Sequence, residues 1–142
     1  MLAHLERVAR DLELPFGDRK MTYNSRLAQE LGKWAEQMGK GDAFHDAVFR
    51  AYFADGRNIG DANILADVAT SVGLDAKETR TVLAGRTFKE AVDTDWARAS
   101  ESRVTAVPTF LTNGQTLTGA QPFDVLVNFM LQNKVIRRPS NN

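Results

Sequence analysis

Val107-Pro108-Thr109-Phe110-Leu111-Thr112-Asn113-Gly114-Gln115-Thr116-Leu117-Thr118 is the stretch that decides the fold. Valine, phenylalanine and threonine before Asn113-Gly114, and threonine after it, favour strands. Asn-Gly supplies the two residues with positive φ that a type I′ turn needs, so the spacing predicts a tight hairpin. Gly119 marks a break after the return strand. Pro122 suits the first position of a closing helix, where its missing N–H costs nothing. Val125, Leu126, Phe129 and Met130 are the expected buried face of that helix.

Everything before Arg103 reads as helical. Leu2, Leu5, Val8, Ala9 and Leu12 recur at helical spacing, and Pro15 and Gly17 end that segment. Asn24 is the expected N-cap of a second helix carrying Leu27, Leu31, Trp34, Ala35 and Met38. Gly39 and Gly41 interrupt it. Asp42 is the expected cap of a third helix, with Phe44, Val48, Ala51 and Tyr52 on one side and Phe49 and Phe53 beside them. Aromatic residues at this spacing read as core. Asp55 to Asp61 is a turn that lacks the ligand positions of a calcium loop. It is expected to end one helix at Gly56 and to cap the next at Asp61. Ile64, Leu65, Val68 and Val72 face inward in that next helix, which Gly73 closes. Asp75 caps a helix ending at Gly85, and Phe88, Ala91, Val92, Asp95, Trp96 and Ala99 form one more, to about Ser102. The tail from Pro139 to Asn142 is expected to fray.

Composition narrows the chemistry. The 142 residues carry 18 basic and 18 acidic side chains, a balance that argues against a nucleic-acid or anionic-membrane partner. No apolar run could span a bilayer. The first residues lack a signal-peptide pattern, so a cytoplasmic location is the default expectation. There is no cysteine, which excludes disulfides, thiolate metal sites and a cysteine nucleophile within these residues. His4 and His45 lie far apart, so no metal site and no cofactor are expected. No catalytic residue is assigned. Asp93 and Asp95 are two apart and fall on different sides of a helix; with Glu101 they read as a solvated face.

Two stretches carry a family resemblance. Phe44-His45-Asp46-Ala47-Val48-Phe49-Arg50-Ala51-Tyr52-Phe53-Ala54-Asp55-Gly56-Arg57-Asn58-Ile59-Gly60-Asp61 resembles the helical insert of the FrnE-like branch of the DsbA family. That branch is similar in turn to 2-hydroxychromene-2-carboxylate isomerases and kappa-class glutathione transferases. Val107-Pro108-Thr109-Phe110, followed by Asn113-Gly114, Leu117 and Gly119-Ala120-Gln121-Pro122, resembles the family's cis-proline loop, hairpin and final helix.

The resemblance implies a single, mostly helical α/β domain: an incomplete thioredoxin-like fold with an insert over about 24–102 and a thioredoxin-like part over about 103–134. It implies thiol–disulfide oxidoreduction as the family activity. The family's opening strand, Cys-containing turn and second strand have no counterpart here, so the chain alone is expected to be redox-inactive. What carries over is a substrate groove at Val107 and Pro108, where the residue before a cis proline offers its backbone to an extended peptide. The alternative reading is a non-catalytic peptide- or protein-binding module using that groove. The strand after Pro108 would be central in the family, so its open edge needs cover. A homodimer through that edge is expected first, and a fold-back of Leu12 to Tyr23 second.

Overall fold

The computed structural model describes residues 2–18 and 21–138. The expected fray from Pro139 to Asn142 lies outside them. The described residues are mostly helical, with one two-stranded antiparallel sheet. They divide into two compact units, 1–95 and 96–142, with the division inside a helix.

The first unit contains α1 (Leu2–Asp11), α2 (Arg26–Gln37), α3 (Gly41–Phe49), α4 (Ala62–Ser71), α5 (Ala76–Gly85) and the start of α6 (Lys89–Glu101). Its core is the meeting of α2, α3, α4 and α5. Leu31, Phe44, Leu65, Val68 and Ala69 are fully enclosed there, with Trp34, Ile59 and Leu74 around them. Two helix starts follow the sequence closely. The Asp61 carboxylate accepts from the Asn63 N–H at 2.7 Å, and the Asp75 carboxylate accepts from Lys77 and Glu78 at 2.8 Å each. Each such cap is worth about 1 kcal/mol. Two other starts differ from expectation. Asn24 accepts from the Arg26 N–H at 2.8 Å but sits one residue before the N-cap, which is Ser25. Asp42 lies in the first turn of α3, behind an N-cap at Lys40.

The third helix does not stop at Phe49. It widens into a π-helical turn, Arg50–Ala54, in which the Asp55 N–H donates to the Arg50 carbonyl five residues back. Phe44 and Ala51 are buried as expected, but Phe49 and Phe53 are exposed. They pack on each other instead, with ring centroids 6.3 Å apart, and Phe53 meets Tyr52 edge-on at 4.8 Å. The chain of 14–18 lies against this turn. The Gly17 N–H donates to the Phe53 carbonyl at 2.8 Å, and a Cβ on Gly17 would sit 2.3 Å from the Ala54 oxygen. Only glycine fits that approach. The segment from Leu12 to Tyr23 supplies no strand among its described residues, so it does not extend the sheet.

One buried carboxylate ties the helices together. The Glu30 side chain is 4% exposed. Arg86 donates to both of its oxygens at 2.6 Å, and Arg26 adds a bond of 2.7 Å. Arg26 also donates to the Lys89 carbonyl and to Asp93, so α2, the end of α5 and the start of α6 share one network. The helix ends at Gly85 as expected, and Arg86 follows it in the left-handed C-cap conformation (φ 50°). The Arg86 hydrogen bonds hold the Glu30 carboxyl below the usual carboxylate range. Burial opposes them, and Arg26 adds to their effect.

A depressed folded-state pKa makes Glu30 stabilising above the unfolded carboxylate value of about 4.3. That contribution is lost as pH falls through the lower folded value. Glu30→Gln is therefore expected to cost about 1–3 kcal/mol at pH 7 and to flatten the loss of stability between about pH 5 and 3. Urea melts of both proteins across that range check it.

Candidate functional site

The second unit holds the rest of α6, β1 (Thr109–Thr112), β2 (Gln115–Thr118) and α7 (Phe123–Gln132). Thr112 pairs with Gln115, Leu111 with Thr116, Phe110 with Leu117 and Thr109 with Thr118. The two-residue turn has φ of 48° at Asn113 and 74° at Gly114, the type I′ pattern. Asn113 also donates through Nδ2 to the Asn133 carbonyl at 2.7 Å, which ties the turn to the end of α7.

The two sequence-predicted site residues sit at the entry to β1. The Val107–Pro108 peptide bond is cis. The Pro108 carbonyl accepts from the Gly119 N–H at 2.8 Å, and Thr109 Oγ1 donates to the Ala106 carbonyl at 2.6 Å. These bonds fix the loop around Val107, whose side chain is 88% exposed.

Register sets which peptide groups are free. A two-residue hairpin loop makes Thr112 and Gln115 a hydrogen-bonded pair, and pairs of that kind recur at every second residue. Phe110 and Pro108 therefore point their backbone toward β2, as the Gly119–Pro108 bond requires. Thr109 and Leu111 point theirs to the opposite edge. No strand occupies that edge among the described residues.

The side chains around it are equally open. Phe110 and Leu111 are exposed, as are Met130 and Leu131 on α7, and Phe123 is 82% exposed. None of the described residues of α7 is fully buried. Val125, Leu126 and Phe129 are only half-buried and Met130 is exposed, against the expectation of a covered face. Pro122 is the residue before the helix and not its first member. A shallow groove of about 410 Å³ runs between β1 and α7, lined by Phe110, Leu111, Phe123, Leu126, Phe129 and Met130 among others. None of its lining residues is charged.

The acidic residues considered in the sequence do not form a second site. Asp93 pairs with Arg26 at 2.6 Å and Lys89 at 2.9 Å, and Asp95 pairs with Lys33 at 2.7 Å. Both side chains are about half exposed, so they lie on a solvated face as expected, ion-paired within the helical unit. The Lys89 hydrogen bond, then that of Arg26, holds the Asp93 carboxyl below its ordinary value. His45 meets Glu36 at 3.4 Å. Among the described residues no cluster of His, Asp or Glu could hold a metal ion.

Comparison with known proteins accounts for this pairing of a helical unit with a proline-entered hairpin. Residues 1–130 match the family model of the DSBA-like thioredoxin domain. The chain belongs to the DsbA-like thioredoxin family. YwbO of Bacillus subtilis is 36% identical over 100 residues, which is 70% of this chain and 50% of YwbO. The crystal structure of a probable DsbA oxidoreductase from Streptomyces coelicolor superposes with a TM-score of 0.78 at 30% identity. It covers 94% of this chain and 59% of that one. A 2-hydroxychromene-2-carboxylate isomerase superposes at 0.77 with 22% identity, over 92% of this chain and 64% of that one, a likeness of fold. This DsbA-like chain thus spans about half the length of the curated relative it matches. Among its described residues no helix is long and apolar enough to cross a membrane.

Gly114→Ala tests how far the turn holds the site. An L-side chain at a left-handed position costs roughly 1–2 kcal/mol. Amide exchange at Thr112 and Gln115 is expected to speed up about fivefold or more, while that of Leu31 and Leu65 stays unchanged.

Proposed function

We propose that these 142 residues are the substrate-shaping part of a DsbA-like oxidoreductase, without thiol–disulfide activity of their own, and that what they retain is thiol-independent binding of extended polypeptide at the Val107–Pro108 loop. The observation that carries the first half is the absence of any cysteine. Thiol–disulfide exchange proceeds by attack of a thiolate on sulfur, and no other side chain in the chain can replace it.

The second half is supported by the state of the loop. Val107 projects into solvent, its peptide groups have no partner among the described residues, and the open edge of β1 continues from it. An extended chain can pair with such an edge through its main chain alone, and the uncharged groove between β1 and α7 favours neutral, apolar side chains.

Two measurements test it. Purified protein is expected to reduce insulin no faster than buffer, and turnover above that rate contradicts the first half. A fluorescein-labelled, cysteine-free apolar peptide is expected to bind with the same Kd with and without dithiothreitol. Val107→Asp should weaken that binding at least fivefold while shifting stability by no more than about 0.5 kcal/mol, as for other exposed positions. Equal binding by wild type and Val107→Asp contradicts the second half.

A further inference from the structure

We propose that Asn113 is a site of spontaneous deamidation, and that its conversion to aspartate or isoaspartate releases the hairpin turn from the end of α7. The inference rests on the turn alone and does not depend on the peptide-binding reading above.

The sequence singles out one asparagine. Deamidation begins when the peptide nitrogen of the next residue attacks the asparagine side-chain carbon, so a side chain on that next residue obstructs it. Asn113 is the one asparagine in the chain followed by glycine. Asn128 and Asn133, in the same unit, are followed by Phe129 and Lys134.

The structure leaves the attacking group free. Asn113 and Gly114 are exposed, and nothing lies within 4 Å of the place a Gly114 side chain would occupy. The ladder closes on the pair Thr112 and Gln115, and the Gly114 N–H donates to no group among the described residues. The leaving group, by contrast, is held. Asn113 Nδ2 donates to the Asn133 carbonyl at 2.7 Å. Asn133 is the C-cap of α7, at the end where helix carbonyls lack partners. That bond must open before the side-chain carbon can turn to the Gly114 nitrogen, so the reaction follows the opening of the turn.

The step balances with solvent water as the only co-reactant. The Gly114 nitrogen bonds to Asn113 Cγ, the Cγ–Nδ2 bond breaks, and Nδ2 leaves as ammonia with the proton that the peptide nitrogen gave up. Water then adds to either carbonyl of the resulting succinimide and leaves an aspartate or an isoaspartate carboxylate. A shallow polar hollow of about 380 Å³, lined by Asn113, Gln115, Gln132, Asn133 and Lys134, lies beside the turn and admits that water.

The product does not fit the site as asparagine does. An ionised carboxylate only accepts hydrogen bonds, so it has none to give the Asn133 carbonyl. Its charge also meets the negative end of α7. Lys134 lines the same hollow and offers the carboxylate a cation instead. Isoaspartate further adds a carbon to the main chain, which breaks the two-residue type I′ loop that sets the register of β1 and β2. Either product unties the turn from the helix.

Trypsin releases residues 104–134 as one peptide, with Asn128 and Asn133 as internal controls. The unmodified protein, held at mildly alkaline pH and followed by mass spectrometry of that peptide, is expected to react at Asn113 about tenfold faster or more than at either control, with isoaspartate in excess of aspartate. The chain unfolded in urea should react at Asn113 roughly three- to thirtyfold faster than the folded protein, since the bond to Asn133 is gone. An Asn113 that stays intact in the folded protein, that reacts no faster than the controls, or that reacts equally in buffer and urea overturns the site. Asn113→Asp carries the product's charge without lengthening the main chain. It should speed amide exchange at Lys134 and Val135 about threefold or more, because their N–H groups close α7 on the Leu131 and Met130 carbonyls, at 3.0 Å each. The Leu31 and Leu65 amides should not change. Unchanged exchange at Lys134 and Val135 overturns the release.

Discussion

Backbone N–H and C=O groups must be paired or wet, and β1 meets that demand on one side only. Its alternate peptides are satisfied by β2, while those of Thr109 and Leu111 face an edge that no other strand occupies among the described residues. The side chains follow the same division. Phe110, Leu111 and Phe123 belong to residue types that are normally enclosed, yet they stand in solvent here.

The helical unit is built on a different principle. It encloses Leu31, Phe44, Leu65 and Val68 in one core cluster. The one buried carboxylate among its described residues is fully engaged: two guanidinium groups compensate the desolvation of Glu30, and the same contacts register α2 against the ends of two other helices. Family membership and this separation agree. The relatives are longer proteins, and the part matched here contains a helical unit with its own core cluster and a hairpin unit whose helix has no buried residue among those described.

Much of this was legible in the sequence. Asn113-Gly114 announced the hairpin because few residue pairs tolerate two positive φ values, and Asp61 and Asp75 announced helix starts because their short carboxylates reach the next free N–H groups. Local chemistry of that kind is readable one residue at a time. The Glu30–Arg86 pair was not, since 56 residues separate its members and nothing local links them. The same contact explains why Arg86 adopts the left-handed cap expected of a glycine. The π turn at Arg50–Ala54 left no sequence signal either; Gly17 lies close against it, and Phe49 and Phe53 are exposed there. The exposed state of α7 was missed for a related reason. An amphipathic pattern states that a face can be buried, and only the fold tells whether anything buries it.

We propose that the Val107–Pro108 loop and the strand it enters hold extended polypeptide, and residue-resolved amide hydrogen exchange reads them directly. On addition of a cysteine-free apolar peptide the Thr109 and Leu111 amides should gain protection, while those of Phe110 and Thr112, bonded to β2, stay protected throughout. Thr109 and Leu111 amides that exchange as freely at saturating peptide as without it would contradict it.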